Sequence, residues 1–243
     1  LWRDFLRNNQ PWIHEHRLLT AAGDVRWVRG RAVRLAREEG QAEVEIPAGP
    51  RLYLNADQQQ VARDFRAAHG AGQYVFVHPG SGGSALDWEP ERFAMVANRL
   101  AADTGRQVFI TGAGPDAGVV AAMAVHLHPT VEVLLDKFAL RDFLAVLSVG
   151  DLFIGPSTGP LHLAAALGTP TLGLFPPVST MHPKRWGPRS FAFGQTRNLV
   201  PEIDCPARRL CREERCEHYN CMNELRVDAV LTAAREVLGQ KQP

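Results

Sequence analysis

Leu152 to Leu174 reads LFIGPSTGPLHLAAALGTPTLGL, and this stretch decides the fold. A short apolar run, Leu152-Phe153-Ile154, closes on Gly155-Pro156, and a helical segment, Leu161 to Leu167, follows almost at once. Gly168-Thr169-Pro170 stops that helix before a second apolar run, Thr171 to Phe175. Apolar runs this short, punctuated by Gly and Pro, read as strands, and the segment between them has the length and composition of a helix.

The same alternation continues towards the N-terminus. Strands are expected at Tyr74–Val77, Val108–Ile110 and Val131–Leu135, with helices at Asp57–His69, Pro90–Ala102, Asp116–His126 and Leu140–Ser148. A last helix, Val227–Leu238, carries Val227, Val230, Leu231, Ala234, Val237 and Leu238 as one apolar stripe. Strands alternating with helices of this length imply an α/β fold, a Rossmann-like parallel sheet with helices on both faces. Ligands of such sheets sit outside the carboxyl ends of the strands, so the loops after these runs are where chemistry is expected.

Upstream of residue 50 the pattern differs. Trp12 to Gly40 has patches of alternation around Ala22-Gly23-Asp24 and reads as a β-hairpin or meander. Ile46-Pro47-Ala48-Gly49-Pro50 then punctuates the chain, which places a boundary between a small β-rich N-terminal segment, 1–50, and a domain spanning 51–243. Glu15-His16-Arg17-Leu18 and Gly23-Asp24-Val25-Arg26-Trp27-Val28 resemble the last strands of a PAS sensory domain. Too few residues precede them for a complete PAS core, so an edge hairpin or the remnant of a first domain stands beside that reading.

Composition narrows the function. The 243 residues carry 27 basic and 26 acidic side chains, a balance that gives no support to a nucleic-acid binder and requires any anion site to be local. No run of about 18 apolar residues occurs, so no membrane span is expected. The chain opens on Leu1 instead of Met, as a cut, processed or incompletely read chain would. Cys205, Cys211, Cys216 and Cys221 fall in one short stretch, unlike a secreted disulfide framework, which points to the cytoplasm. Four thiolates suffice for zinc or an iron–sulfur cluster, but these spacings lack the paired C-x2-C form, and reduced thiols or a disulfide are the alternatives; no metal is assigned. Arg208, Arg209, Arg212 and Arg215 alternate with Glu213, Glu214 and Glu217, a pattern expected of a solvated surface, with peripheral contact to an anionic membrane surface left to test.

Two loops carry the candidate chemistry. His78-Pro79-Gly80-Ser81-Gly82-Gly83-Ser84 follows the first strand of the sheet, and Asp87-Trp88-Glu89-Pro90 opens the next helix. Glycines let the backbone approach a ligand and leave amide N–H groups free for an anion, with the helix N-terminus adding positive potential. In the second loop, Gly155-Pro156-Ser157-Thr158-Gly159, the hydroxyls of Ser157 and Thr158 can cap the following helix or bond to phosphate, and His162 lies one turn in. Together the loops outline a diphosphate slot.

HPGSGGSALDWEPERFA, ITGAGPDAG, GPSTGPLHLAAALGTPTLGLFPP and RWGP, in that order and followed by the cysteine-bearing tail, resemble glycosyltransferase family 9, the heptosyltransferases, over residues 73 to 238. The resemblance implies the C-terminal half of a GT-B fold, binding a nucleotide-diphosphate sugar such as ADP-heptose. It places Ser81, Gly82, Gly83, Ser84, Ser157, Thr158, Gly159 and His162 against the diphosphate, and Asp116 on the ribose hydroxyls. It implies inverting transfer to a glycan or lipid-linked surface acceptor, in the cytoplasm or peripheral to the inner membrane. The family's catalytic base is an Asp in the other half, so no catalytic residue is assigned. The sequence departs from relatives in having Leu86 where many carry Lys and Ser157 where many carry Asp; Arg92 and Lys184 are candidate replacements for the lost cation. A non-catalytic nucleotide-sugar-fold binding or regulatory module is the alternative reading, and an epimerase a third.

Overall fold

The structure, a computed structural model, describes residues 12–19, 25–32, 52–70, 72–83, 85–188, 195–206, 211, 216–218 and 220–239. The chain divides into two compact units, Leu1–Pro47 and Ala48–Pro243. In the first, β1 (Trp12–Leu19) and β2 (Val25–Ala32) pair antiparallel, with Trp12 opposite Ala32 and Leu19 opposite Val25. The expected hairpin is present. Its turn at Ala22-Gly23-Asp24 and the segment from Ile46 to Pro50 lie outside the described residues.

The second unit holds a six-stranded sheet: β3 (Tyr74–Val77), β4 (Gln107–Gly112), β5 (Val131–Leu135), β6 (Leu152–Pro156), β7 (Thr171–Leu174) and β8 (Thr196–Leu199), in the order β5-β4-β3-β6-β7-β8. Every pairing is parallel. A parallel sheet hides both faces under its crossovers, which is why its central strands read as continuous apolar runs. Successive side chains point to opposite faces. Val75 and Val77 of β3, with Val108, Ile110, Leu152 and Ile154, face α2 (Pro90–Thr104), α3 (Ala117–Ala124) and α7 (Val227–Val237). Tyr74 and Phe76, with Phe109 and Phe153, face α1 (Ala56–His69), α4 (Leu140–Leu147) and α5 (Gly159–Leu167). Phe65 of α1 meets Phe109 and Tyr74 edge-on at 5.3 and 5.5 Å, so the aromatic face packs against a ring rather than an aliphatic helix.

Local signals agree with this frame. Asn55 and Gln58 form a reciprocal capping box on α1, Pro90 opens α2, and Gly105 and Gly168 end α2 and α5 in left-handed backbone. Of the four buried residues of α7, Val230, Leu231 and Ala234 lie on the expected stripe, and Ala233 lies off it. Among the described strands and α-helices, two were not anticipated. The edge strand β8 has no buried residue, so it carries no apolar run, and α6 (Pro183–Trp186) is a single turn.

The chain runs outward from β3 to β5 and then crosses to β6 on the other side of β3. The loops after β3 and β6 therefore diverge from one point at the carboxyl edge of the sheet. That switch point leaves a crevice no crossover covers.

Candidate nucleotide site

At this crevice lies a cavity of about 350 Å³. Four segments build it. The β3 loop contributes His78, Ser81 and Gly82; the end of β4 and the turn after it contribute Gly112, Ala113, Pro115 and Asp116; the end of β5 and the start of α4 contribute Leu134, Phe138, Leu140 and Phe143; and the N-terminus of α5 contributes Thr158 and Pro160.

The β3 loop is held at both ends. Trp88, almost wholly buried, donates its indole N–H to the Leu225 carbonyl at 3.1 Å and packs edge-on against Phe93 at 5.2 Å. Between His78 and Trp88, Gly82 and Gly83 both take positive φ, +59° and +79°, with no atom near the place a Cβ would occupy. Left-handed backbone in two successive residues favours glycine and turns the chain past the cavity without a side chain in the way. Ser81 is buried, and its hydroxyl donates to the Ala85 carbonyl at 3.1 Å. It also bonds to Asp87, whose carboxyl group is pushed above the usual carboxylate range, first by withdrawal from water, with Ser81 opposing and Asp116 adding repulsion. Ser81 thus braces the loop from inside.

Asp116 closes the 3-10 turn Gly114–Asp116 and accepts the Ala113 amide at 2.9 Å. Its carboxylate lies against the β3 loop, with Oδ2 3.8 Å from Nε2 of His78. His78 is buried, and its Nδ1 sits 3.1 Å from the hydroxyl of Thr111 on β4. Burial lowers the imidazole's pKa, with Asp116 and the Thr111 contact pulling it back up. Sequence reading gave His78 no role because its partners come from a strand 33 residues on and from the turn beyond it.

Thr158 is the N-cap of α5 and makes no side-chain capping bond, and Pro160 in the first turn has no N–H to offer. The apolar wall of Leu134, Phe138, Leu140 and Phe143 was likewise not singled out from sequence, where such residues read as strand and helix core. Of the expected residues, the cavity gathers Ser81, Gly82, Asp116 and Thr158; Gly83, Ser157, Gly159 and His162 lie in the same loops or helix without lining it. Burial holds the His162 imidazole low. Ser84 is outside the described residues.

Neither replacement cation lines the cavity. Arg92 is engaged elsewhere, Nε with Glu89 at 3.0 Å and Nη1 with the Asn223 carbonyl at 2.7 Å, a clamp that ties α2 to the C-terminal tail. Glu89 also accepts from Asn223 at 2.8 Å. Leu86 packs against the core.

None of the four cysteines is in a disulfide, and all four are half-buried. The Cys221 thiol is pushed up to about 11, first by burial and then by Cys211, Cys205 and Cys216, so the four sulfurs lie within electrostatic reach of one another. Among the described residues, no three His, Cys, Asp or Glu side chains are arranged to hold a metal ion. Nor, among them, is any helix long and apolar enough to cross a membrane. The arginine run at 208–215 falls outside them.

Comparison with known proteins gives a consistent result. The family described as Glycosyltransferase family 9 (heptosyltransferase) matches residues 2–211. A putative glycosyltransferase of Haemophilus influenzae is 39% identical over 118 residues, 48% of this chain and 34% of that protein. The lipopolysaccharide core heptosyltransferase OpsX of the same organism is 26% identical over 162 residues, 65% of this chain and 46% of that one. Among solved structures, a family 9 glycosyl transferase from Veillonella parvula superposes with a TM-score of 0.66 at 22% identity, over 77% of this chain and 53% of its own. E. coli heptosyltransferase WaaC with ADP does so at 0.52 and 21%, over 72% and 48%. These likenesses establish the fold, a Rossmann-like half of the GT-B architecture. The chain spans between a third and a half of the length of the curated relatives it matches.

Proposed function

The chain belongs to glycosyltransferase family 9, and from that premise we propose that its second unit binds the nucleotide-sugar donor of a glycosyl transfer. The observation that carries the reading is the cavity at the switch point, which joins an apolar wall, a carboxylate and two loops able to hold an anion. A nucleobase fits the wall of Leu134, Phe138 and Phe143. Asp116 can accept from the ribose hydroxyls, its two carboxyl oxygens offering lone pairs to both. The diphosphate then lies along Gly82 and Gly83 and towards the N-terminus of α5 at Thr158 and Gly159, with Ser157 and His162 behind, where amides and the helix dipole stabilise the leaving group. Ser84 is proposed to join the glycine loop.

The reaction is inverting transfer. A base on a partner half removes the proton of an acceptor hydroxyl, whose oxygen bonds to the anomeric carbon as the nucleoside diphosphate departs with the electron pair of the broken C–O bond. This chain supplies the donor side of that step. The printed names of the relatives support an ADP-linked heptose as donor and a surface glycan such as the lipopolysaccharide core as acceptor, and the reading places the reaction in the cytoplasm. A second reading, a binding module without turnover, is favoured by one observation: among the described residues, the cavity lining contains no lysine or arginine.

Calorimetric titration of the purified chain with ADP and UDP tests the site, with Gly82→Asp and Ser157→Ala as controls. Saturable binding weakened by both substitutions supports it. A folded chain that binds neither nucleotide up to about millimolar concentration, a free energy of only about 4 kcal/mol, rules it out.

A further inference from the structure

A diphosphate on the glycine loop brings negative charge that the cavity does not answer. Among the described residues the lining presents the carboxylate of Asp116 and neither Lys nor Arg. Leu86 packs into the core, and Arg92 is held by Glu89 and Asn223. Among the described residues one lining side chain can become a cation, and it is His78.

Its surroundings suit both protonation states. The ring is 5% exposed, stacked near Phe153 of β6 at 6.2 Å, with Thr111 Oγ1 3.1 Å from Nδ1 and Asp116 Oδ2 3.8 Å from Nε2. As a neutral ring, His78 can accept at Nδ1 from the Thr111 hydroxyl. As a cation it can donate at both nitrogens; Thr111 Oγ1 lies within hydrogen-bond distance of Nδ1, and Asp116 Oδ2 lies within ion-pair distance of Nε2. The charged groups around it are Asp116, from the turn after β4, and Asp87, which faces Asp116 in turn. In the free chain burial outweighs Asp116 and keeps the ring neutral. An anion of two or more charges entering the same cavity reverses that balance, because a nearby opposite charge favours the charged form.

We infer that His78 takes up a proton from solvent as a nucleoside diphosphate binds, and that the imidazolium so formed is the cation the described lining offers the diphosphate. This rests on the reading of the cavity as a nucleoside-diphosphate site. It makes donor binding proton-linked: affinity rises as pH falls towards 6, and release of the nucleoside diphosphate returns the proton.

The test is titration of the full chain with ADP near pH 7 in two non-phosphate buffers of different ionisation enthalpy, which counts protons exchanged on binding. The unsubstituted chain is expected to take up between about half and one proton more per ADP than His78→Gln, since ADP's own ionisation is common to both. The affinity of His78→Gln is expected to be several-fold weaker at pH 6.5 and similar at pH 8.5. If ADP binds saturably and both chains exchange the same number of protons, the inference falls and the nucleotide site stands. If the folded chain binds no ADP, the site reading falls and takes this inference with it. Should His78→Gln not fold, nitrogen-15 spectra of histidines in the unsubstituted chain decide. A buried imidazole moving from neutral to cationic resonance positions on adding ADP supports the inference, and unmoved ring nitrogens overturn it.

Discussion

Gly80 and Asp116 occupy one another's space: a methyl group on Gly80 would overlap the carboxylate of Asp116. The β3 loop can close over the turn after β4 only because residue 80 has no side chain, so the two loops that frame the cavity are packed as a unit. Gly80→Ala is therefore expected to displace Asp116, to cost about 1–3 kcal/mol of stability as overpacking does, and to weaken ADP binding tenfold or more. Gly118→Ala on α3, where an added methyl meets nothing, is the matched control and should gain about 0.5–1 kcal/mol. Chemical denaturation of the two variants checks both signs.

Leu140 is 66% exposed yet lines the cavity. An exposed leucine at a cavity mouth has little packing to lose and a ligand to touch. Leu140→Ala should change stability by no more than about 0.5 kcal/mol while lowering ADP affinity roughly three- to tenfold. A variant that binds ADP as well as the parent would remove the apolar wall from the site.

The depressed His78 value has a consequence for the free chain. The unfolded chain takes up the proton first, so the contribution of His78 to stability is present in full above the ordinary imidazole value of 6.5 and is lost as pH falls from there through the folded value. His162 and His182, lowered for the same primary reason, add to the same trend. The melting temperature of the free chain is expected to fall between pH 7.5 and 5.5, and less so in His78→Asn. An equal fall in both would place the burden on the other histidines.

Cys221 should be the slowest of the four cysteines to alkylate. With its thiol held at about 11, only about one molecule in a thousand is thiolate at pH 8. Timed iodoacetamide labelling read by mass spectrometry should leave Cys221 until last. Labelling at the pace of Cys205 would contradict the burial and mutual repulsion described.

Much of this was legible in the sequence, for local reasons. The strand and helix positions follow from runs such as Tyr74–Val77, whose burial on both faces demands apolar residues throughout. Gly82, Gly83 and Asp116 stood out because turns and acceptors depend on the residue itself. What escaped was set by distance. His78 acquires meaning only when parallel pairing puts Thr111 beside it, and Arg92 proved committed to Asn223, 131 positions on. Phe138, Leu140 and Phe143 carry no mark separating a ligand wall from a helix core. Strand β8 lies at an edge and needs no apolar run, so nothing announced it.

The most direct measurement of the central claim is a crystal structure of this chain with ADP. The account predicts the diphosphate along Gly82 and Gly83 and at the start of α5, the ribose hydroxyls on Asp116, and the base against Phe138 and Phe143. Nucleotide bound away from the β3–β6 switch point, in crystals whose cavity is open to solvent, would contradict it.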